Sequence, residues 1–252
     1  MRKQLTALAI SAALAVSAIP FATTSTPESE PLHVALGSTA PAPAPPPVPV
    51  VAPAPETMVE EPEWDLPNLD HDRVDYWVDV FTTEKRDEFA IFLERMTKYE
   101  PMILGKLESR NMPSDLIYLA MIESGFNPTA RSHAAAVGLW QFIADTGRRY
   151  GLEVTGKVDE RKDPEKSTDA ALAYLSDLYD RFGSWYLAAA AYNTGENRVA
   201  RIMRQVTGSE KGSEESYYAI SDRLPKETRD YVPLMIAAAR IAKEPAKYGF
   251  DA

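Results

Sequence analysis

Cysteine is absent from the 252 residues of this chain. Its absence excludes disulfide bonds, lipid attachment to a cysteine, and zinc or iron–sulfur sites built on thiolates. Basic residues are also few, since 27 Lys and Arg face 37 Asp and Glu, and the formal net charge is −10. Because nucleic acid and anionic lipid are bound through clustered Lys and Arg, neither is expected as the main ligand. No metal and no cofactor are predicted.

The first 22 residues are predicted to be a secretory signal peptide. Arg2 and Lys3 precede an apolar run from Leu5 to Ile19, and the small residues Val16-Ser17-Ala18 favour a cut after Ala18. An uncleaved membrane anchor is the alternative, although about fifteen apolar residues is short of the roughly 20 that a bilayer span needs. We therefore expect an exported protein of the periplasm or cell envelope, which cannot be acylated on a cysteine.

Residues 23–62 are predicted to be a proline-rich linker. They hold eleven of the twenty prolines of the chain and almost nothing that could form a core. An extended polyproline segment of about 3.1 Å per residue would act as a spacer. Docking of a cell-envelope protein on the proline run is the alternative.

Residues 63–252 are predicted to form an all-α domain. Apolar residues recur at helical spacing after Trp64, and no segment alternates as a strand would. The expected elements are two helices over 84–110 broken near Pro101, a helix from Pro113-Ser114 to Ser124, one over about 137–150, one from Asp163-Pro164 to Gly183, one from Trp185 to Tyr192, one around Val199–Val206, and one from Thr228 to Ile241.

Glu123 is the most unusual residue of this pattern. It closes an apolar helix and shares a stripe with Leu116, Leu119 and Ala120. Burial and the negative end of the helix dipole would both raise its pKa, and a carboxyl group that stays protonated near neutral pH suits general-acid catalysis on a glycosidic oxygen. The alternative is a glutamate that reaches the surface or pairs with Arg131 or Arg148.

Four short motifs follow one another in the sequence: Glu123-Ser124, Gly138-Leu139-Trp140-Gln141, Ala191-Tyr192-Asn193 and Tyr231-Val232. In this order and spacing they resemble the lytic transglycosylases of the soluble and membrane-bound D type, which cleave peptidoglycan. The resemblance covers roughly residues 64–245, with its motif-bearing core at about 110–240. It implies a lysozyme-like helical catalytic domain, of the goose-lysozyme type, over residues 63–252.

The resemblance also implies a role for each motif residue. Glu123 would be the acid and base, Ser124 would position it or the substrate, and Gln141 would line the sugar groove. Tyr192 would lie near the catalytic carboxyl group and Asn193 would bind substrate through its amide, with Tyr231 as a further substrate-binding residue. Structural roles remain open beside these, namely a helix end satisfied by Ser124, a core Tyr192, and an Asn193 that ends its helix in the left-handed conformation. Trp140 and Trp185 are expected to be core residues.

The family chemistry needs one carboxyl group. It would cleave the MurNAc-β-1,4-GlcNAc bond of peptidoglycan glycan strands without water and leave a 1,6-anhydromuramoyl end, with no cofactor. The next acidic residue after Glu123 is Asp145, and it lies in no matching motif. A muramidase that hydrolyses the same bond, and a wall-binding protein without activity, are the alternatives.

Overall fold

The structure is a computed structural model, and it describes residues 62–250. The predicted signal peptide and all of the predicted linker except Pro62 lie outside the described residues. Between residues 62 and 250 the secondary structure is helical, and the only strand-like pairings are isolated bridges. The all-α class is therefore confirmed for this part of the chain. None of its helices is both long and apolar enough to cross a membrane.

The α-helices are α1 (Asp72–Thr82), α2 (Arg86–Glu108), α3 (Ile117–Ser124), α4 (Ala144–Arg149), α5 (Pro164–Phe182), α6 (Trp185–Thr194), α7 (Glu196–Thr207), α8 (Glu214–Ile220) and α9 (Lys226–Lys243). Short 3-10 helices cover Ser114–Leu116, Glu160–Lys162, Ser221–Arg223 and Pro245–Tyr248.

Helix α6 lies at the centre of the fold. Its residues Tyr186 to Ala191 are completely buried, and α5, α7, α8 and α9 all contact it. Four consecutive alanines, Ala188 to Ala191, allow these neighbours to approach closely. Helix α3 packs between α2 and α9, and all eight of its residues are buried. The end of α3 is therefore held from both sides, which matters for the carboxyl group that it carries.

Helix α2 contradicts the predicted break at Pro101. It runs without interruption from Arg86 to Glu108 with the proline inside. A proline removes one backbone donor and favours a break, but apolar side chains on both sides of Pro101 are buried on one face. These are Phe89, Phe92, Met96, Tyr99, Ile103 and Leu107. Burial of this stripe keeps the two halves in one helix.

The predicted helix over 137–150 is also wrong in its first half. Only Ala144–Arg149 is helical, while Val137 pairs with Phe142 across a tight turn. Gly138 has φ of +93°, and a Cβ there would lie 1.8 Å from the carbonyl oxygen of Arg161. The chain turns here because glycine admits both this conformation and this close approach.

Helix α6 extends beyond the predicted end at Tyr192. Asn193 and Thr194 are helical, and Gly195, with φ of +92°, is the residue that ends the helix. The prediction that Asn193 ends it in the left-handed conformation is therefore wrong, because glycine adopts positive φ without the penalty of a Cβ. The helix expected from Asp163-Pro164 to Gly183 is confirmed, and the Asp163 carboxylate accepts from the backbone of Glu165 and Lys166 at 3.0 Å.

Candidate active site

Glu123 lies in the last turn of α3 and is only 1% exposed. Helix α3 ends directly behind it because Gly125 takes the left-handed conformation, where a Cβ would lie 2.2 Å from the ring of Phe92. Among residues 62–250 its Oε1 accepts from the hydroxyl of Tyr231 at 2.5 Å, and its Oε2 has no hydrogen-bond partner. The carboxyl group is thus buried with one of its oxygens unoccupied.

Burial raises the pKa of Glu123 to about 8. The hydrogen bond from Tyr231 lowers this pKa, and the negative charge of Glu227 raises it, but both effects are smaller than that of burial. At neutral pH the carboxyl group is therefore mostly protonated. The ion pair with Arg131 or Arg148, the alternative considered from sequence, is absent from residues 62–250, and Arg148 instead pairs with Asp145 at 2.8 Å.

Helix α9 contributes two groups to this site. Tyr231 is 1% exposed and donates to Glu123 from 108 residues further along the chain. Glu227, half-buried one turn earlier on the same helix, is close enough to affect the pKa of Glu123 and of Tyr231. Sequence reasoning missed Glu227. The signal was available, because residues four apart share a helix face and Tyr231 was already a candidate.

Ser124 connects the end of α3 to the loop that follows it. Its hydroxyl is 2.8 Å from the carbonyl oxygen of Leu139 and 3.3 Å from that of Ala120, and it accepts from the backbone N–H of Asn127 at 3.2 Å. The hydroxyl thus satisfies the helix end, as the structural alternative predicted, and at the same time it fixes the loop beside Glu123.

Gln141 is 3% exposed and holds the turn of the same loop. Its amide donates to the carbonyl oxygens of Gly138 at 2.9 Å and Ala130 at 3.3 Å, whereas its Oε1 is buried with no partner among the described residues. Its φ of +47° is uncommon for a residue with a side chain. Arg161, paired with Asp159 at 2.8 Å, donates to the carbonyl oxygens of Ala135 and Phe142 and so holds both sides of this loop.

Tyr192 and Asn193 lie at the end of α6. The hydroxyl of Tyr192 donates to the carbonyl oxygen of Trp140 at 2.7 Å, and its pKa is raised by burial and then by the charge of Glu123. Tyr192 is therefore near the carboxyl group, but Tyr231 is the tyrosine that hydrogen-bonds to it. Asn193 is 3% exposed, its Oδ1 accepts from Thr228 at 2.8 Å, and its Nδ2 has no partner between residues 62 and 250.

The two tryptophans expected in the core differ. Trp140 is fully buried and donates from its indole nitrogen to Thr168 at 2.9 Å. Trp185 is only partly buried and stacks on Tyr179 with ring centroids 4.2 Å apart.

A cleft of about 380 Å³ reaches Glu123 and Ser124. It lies between α2 and the loop after α3, and it is lined by Glu88, Ile91, Phe92, Arg95, Glu123, Ser124, Asn127, Ala130 and Arg131. Within residues 62–250 no group of three or more His, Asp or Glu side chains is arranged to hold a metal ion. The chemistry that the described site offers is proton transfer at one neutral, buried carboxyl group that borders a cleft.

Several proteins to which this chain is similar are described as transglycosylases. Residues 101–214 match the family model described as Transglycosylase SLT domain. The chain is 42% identical over 156 residues to "Membrane-bound lytic murein transglycosylase D" of Escherichia coli (strain K12), covering 62% of this chain and 34% of that protein. It is 36% identical over 104 residues to "Peptidoglycan transglycosylase gp16" of Escherichia phage T7, covering 40% of this chain and 8% of that protein.

The crystal structure of the lytic transglycosylase Slt of Pseudomonas aeruginosa aligns with a TM-score of 0.46 at 24% identity, over 59% of this chain and 24% of that one. This chain spans about a third of the length of the Escherichia coli relative and much less of the phage protein. The resemblance to lytic transglycosylases of the D type, predicted from four motifs, is confirmed over the matched residues.

Proposed function

We propose that this chain, whose residues 101–214 match the Transglycosylase SLT domain model, is a peptidoglycan lytic transglycosylase that cleaves the MurNAc-β-1,4-GlcNAc bond and leaves 1,6-anhydromuramoyl ends. The observation that carries the proposal is Glu123, a carboxyl group 1% exposed, with a pKa raised to about 8, at the edge of a cleft. An acid of this kind is protonated at the pH where it must donate.

One carboxyl group is sufficient for both proton transfers. Glu123 donates its proton from Oε2, the oxygen without a partner among the described residues, to the glycosidic oxygen as the bond from that oxygen to C1 of MurNAc breaks. The acetamido group of the same sugar stabilises the cationic centre. The Glu123 carboxylate then removes the proton of the C6 hydroxyl, whose oxygen bonds to C1. Because the nucleophile belongs to the same sugar ring, no water is consumed and the reaction has the advantage of an intramolecular step.

Tyr231 stabilises the negatively charged carboxylate of Glu123 that forms between the two proton transfers. Its hydroxyl donates to Oε1 of Glu123, and a hydrogen bond to a carboxylate is stronger than one to the neutral acid. The loop after α3 is held through its backbone carbonyl groups. Ser124 of α3 binds that of Leu139, Tyr192 of α6 binds that of Trp140, and Gln141 binds that of Gly138 within the loop. The buried, unpartnered Oε1 of Gln141 and Nδ2 of Asn193 are the groups that we assign to sugar hydroxyl and acetamido groups.

Glu227 favours a second candidate, a muramidase that hydrolyses the same bond. Glycoside hydrolysis ordinarily uses two carboxyl groups, and the charge of Glu227 acts on Glu123. In that case Glu227 would activate water or support the cationic centre. The products of the two reactions differ by one water molecule.

The decisive experiment is digestion of purified peptidoglycan with the full chain, followed by mass spectrometry of the released muropeptides. Anhydro products that are lost in Glu123→Gln support the lytic transglycosylase. Reducing ends that are lost in the same variant support the muramidase. Equal product release by Glu123→Gln and the unaltered protein rejects the catalytic assignment, and binding without any product from either protein indicates a wall-binding protein.

The cellular location follows from the substrate. We propose export to the periplasm or cell envelope through a signal peptide over residues 1–22, a linker over residues 23–62 and a catalytic domain over residues 63–252. The mass of the mature protein from fractionated cells tests the signal peptide. A cut after Ala18 supports it, whereas an intact N-terminus in the membrane fraction supports an uncleaved anchor.

A further inference from the structure

The cleft beside Glu123 carries positive charge in a chain whose formal net charge is −10. Its charged lining residues are Glu88, Arg95, Glu123 and Arg131. The carboxylate of Glu88 is paired with Lys85 at 3.0 Å, and the raised pKa of about 8 keeps Glu123 mostly neutral at pH 7. The two arginines therefore dominate the electrostatic potential of the cleft.

Arg95 lies on α2 and is exposed. Its single hydrogen bond among the described residues is a long one of 3.4 Å from Nη1 to the carbonyl oxygen of Gly125. Gly125 follows Ser124 at the end of α3, so this contact holds the guanidinium close to the end of the helix that bears Glu123. Its remaining N–H donors have no hydrogen-bond partner and no acidic partner in residues 62–250.

Arg131 lies in the loop after α3, lines the same cleft and is also exposed. Between residues 62 and 250 its side chain makes no hydrogen bond and no ion pair. The backbone that carries it is firmly held, since Arg131 pairs with Val137 and the preceding carbonyl group of Ala130 accepts from Gly138 and Gln141. The guanidinium is thus free to bind a ligand while its backbone is fixed in position.

These two arginines differ from the arginines that support the fold. Arg161 is bound to Asp159 at 2.8 Å, Arg240 lies 2.8 Å from Asp70, and Arg149 lies 3.3 Å from Glu196. A guanidinium has a planar set of donors that matches a carboxylate group. Two such groups line one cleft, one from α2 and one from the loop after α3, and neither has an acidic partner among the described residues. This arrangement indicates that the anion comes from the ligand.

We propose that Arg95 and Arg131 bind a carboxylate group carried on the lactyl arm of MurNAc and thereby determine which sugar is cleaved. The inference rests on the proposed function, because it assigns a specificity to the same site. Within a glycan strand GlcNAc is uncharged, whereas MurNAc carries either a free lactyl carboxylate or a peptide that ends in carboxylates. A cationic cleft therefore distinguishes the two sugars by charge, in addition to shape.

Three forms of one glycan strand test this assignment. The first retains its stem peptides, and the second is stripped by an amidase so that only the lactyl carboxylate remains. The third is the stripped strand with its lactyl carboxylates coupled to methylamine, which makes it neutral. We measure kcat/KM for release of anhydromuramoyl ends by the unaltered protein, by the double variant Arg95→Gln/Arg131→Gln, and by Arg201→Gln. Arg201 is exposed on α7 and does not line the cleft, so it is the matched control.

The unaltered protein and Arg201→Gln are expected to prefer the charged strands over the neutral strand by about tenfold, because each exposed charge pair contributes a few-fold. The double variant is expected to lose this preference, and Arg95→Lys/Arg131→Lys to regain part of it. If the stripped strand is still preferred over the neutral strand, the arginines bind the lactyl carboxylate. If only the strand with peptides is preferred, they bind a peptide carboxylate. A double variant with the same preference as the unaltered protein would overturn the proposal.

A binding measurement separates this inference from the proposed function. In the Glu123→Gln background, calorimetry with the same three strands reports affinity without turnover. If the unaltered protein releases no anhydro product from any strand, the proposed function fails, while a charge preference in binding that disappears with Arg95→Gln/Arg131→Gln still supports the arginine site. Equal affinity for charged and neutral strands overturns it, whatever the products are.

Discussion

Two carboxyl groups are buried on the short segment that leads into and through α3, and their surroundings are opposite. Asp115, 2% exposed, lies in the 3-10 turn before α3. Its Oδ2 accepts from the backbone N–H groups of Asp65 at 2.9 Å and Leu66 at 3.0 Å, and the ammonium group of Lys243 lies 2.6 Å from Oδ1. Glu123, 1% exposed, has Tyr231 alone on one oxygen among the described residues.

The difference shows what determines the role of a buried acid. A buried charge is tolerated when an opposite charge and hydrogen-bond donors surround it, and otherwise the group takes up a proton. Asp115 is surrounded in this way, and its contacts fasten the segment that enters the domain to the end of α9. Glu123 is not, so its proton is retained and is available to a substrate. The predictions below test this contrast.

Glu123→Gln is expected to have the largest effect. Loss of a general acid lowers kcat/KM on peptidoglycan by about 10²–10⁴-fold, measured by release of anhydro products. Because the pKa of Glu123 is raised from 4.5 to about 8, deprotonation of the unfolded chain favours unfolding at pH 7 by about 3 kcal/mol. Gln cannot ionise, so the variant should be more stable than the unaltered protein at pH 7.

The pH dependence of this stability difference has a definite sign. The contribution of a raised pKa is fully present below pH 4.5 and is lost as the pH rises towards 8. Urea unfolding of Glu123→Gln and the unaltered protein should therefore agree near pH 4 and diverge up to about pH 8. A variant that is less stable at pH 7 would show that the carboxyl group is charged and paired.

Asp115→Asn is expected to act in the opposite way. It leaves the partly buried Lys243 beside a neutral group and should reduce the free energy of unfolding by about 3 kcal/mol, measured in urea at pH 7. Activity per folded molecule should be unchanged. Asp145→Asn, which removes a surface ion pair with Arg148, is the matched control and should cost less than about 1 kcal/mol. Equal losses in the two variants would contradict a structural role for the Asp115 cluster.

Tyr231→Phe removes the one hydrogen bond to Glu123 that the described residues provide. A hydrogen bond to a charged group contributes about 1.5–3 kcal/mol. Because the bond to Glu123 already exists before the reaction, only part of this energy stabilises the transition state, and we expect kcat/KM to fall about tenfold. The bond lowers the pKa of Glu123, so its loss should move the alkaline limb of the pH profile to higher pH. An unchanged limb would mean that the hydroxyl does not bind the carboxyl group during catalysis.

Glu227→Gln should produce the smallest effect and the opposite shift. The charge of Glu227 raises the pKa of Glu123, and the alkaline limb should therefore move to lower pH by less than about one unit. Comparison of the pH profiles of kcat/KM for Glu227→Gln and Tyr231→Phe provides an internal control. A loss of activity as large as that of Glu123→Gln would instead identify Glu227 as a second catalytic carboxyl group, as a muramidase requires.

Local sequence patterns predicted most of the helices. The Asp163 cap, the glycine stop at Gly183 and the apolar spacing between them are contacts within a few residues, and the structure agrees with them. Two of the errors have long-range causes, whereas the misplaced end of α6 has a local one, the glycine stop at Gly195. Pro101 lies inside α2 because the buried stripe on both sides favours one helix, and the loop around Gly138 is shaped by Arg161, which no local pattern reveals.

Some residues of the candidate site could also be identified from sequence, and others could not. The buried carboxyl group of Glu123 was identifiable as the candidate acid, since a glutamate at the end of an apolar helix is rare and four ordered motifs pointed to it. The tyrosine that binds it was not identifiable from order alone, because Tyr192 and Tyr231 both stand in motifs and only Tyr231 hydrogen-bonds to Glu123. Glu227 was missed although it lies four residues before Tyr231 on the same helix face, because its proximity to Glu123 appears only in the tertiary structure.

The sequence by itself determined the helical class, the identity of Glu123 and the family of motifs around it, because these depend on residue types and on short periodic spacing. Only the tertiary structure decided that Glu123 is neutral while Asp115 is paired. The pKa of Glu123 depends on its burial and on Tyr231 and Glu227 of α9, and the ion pair of Asp115 depends on Lys243 of the same helix; all three partners are more than a hundred residues away.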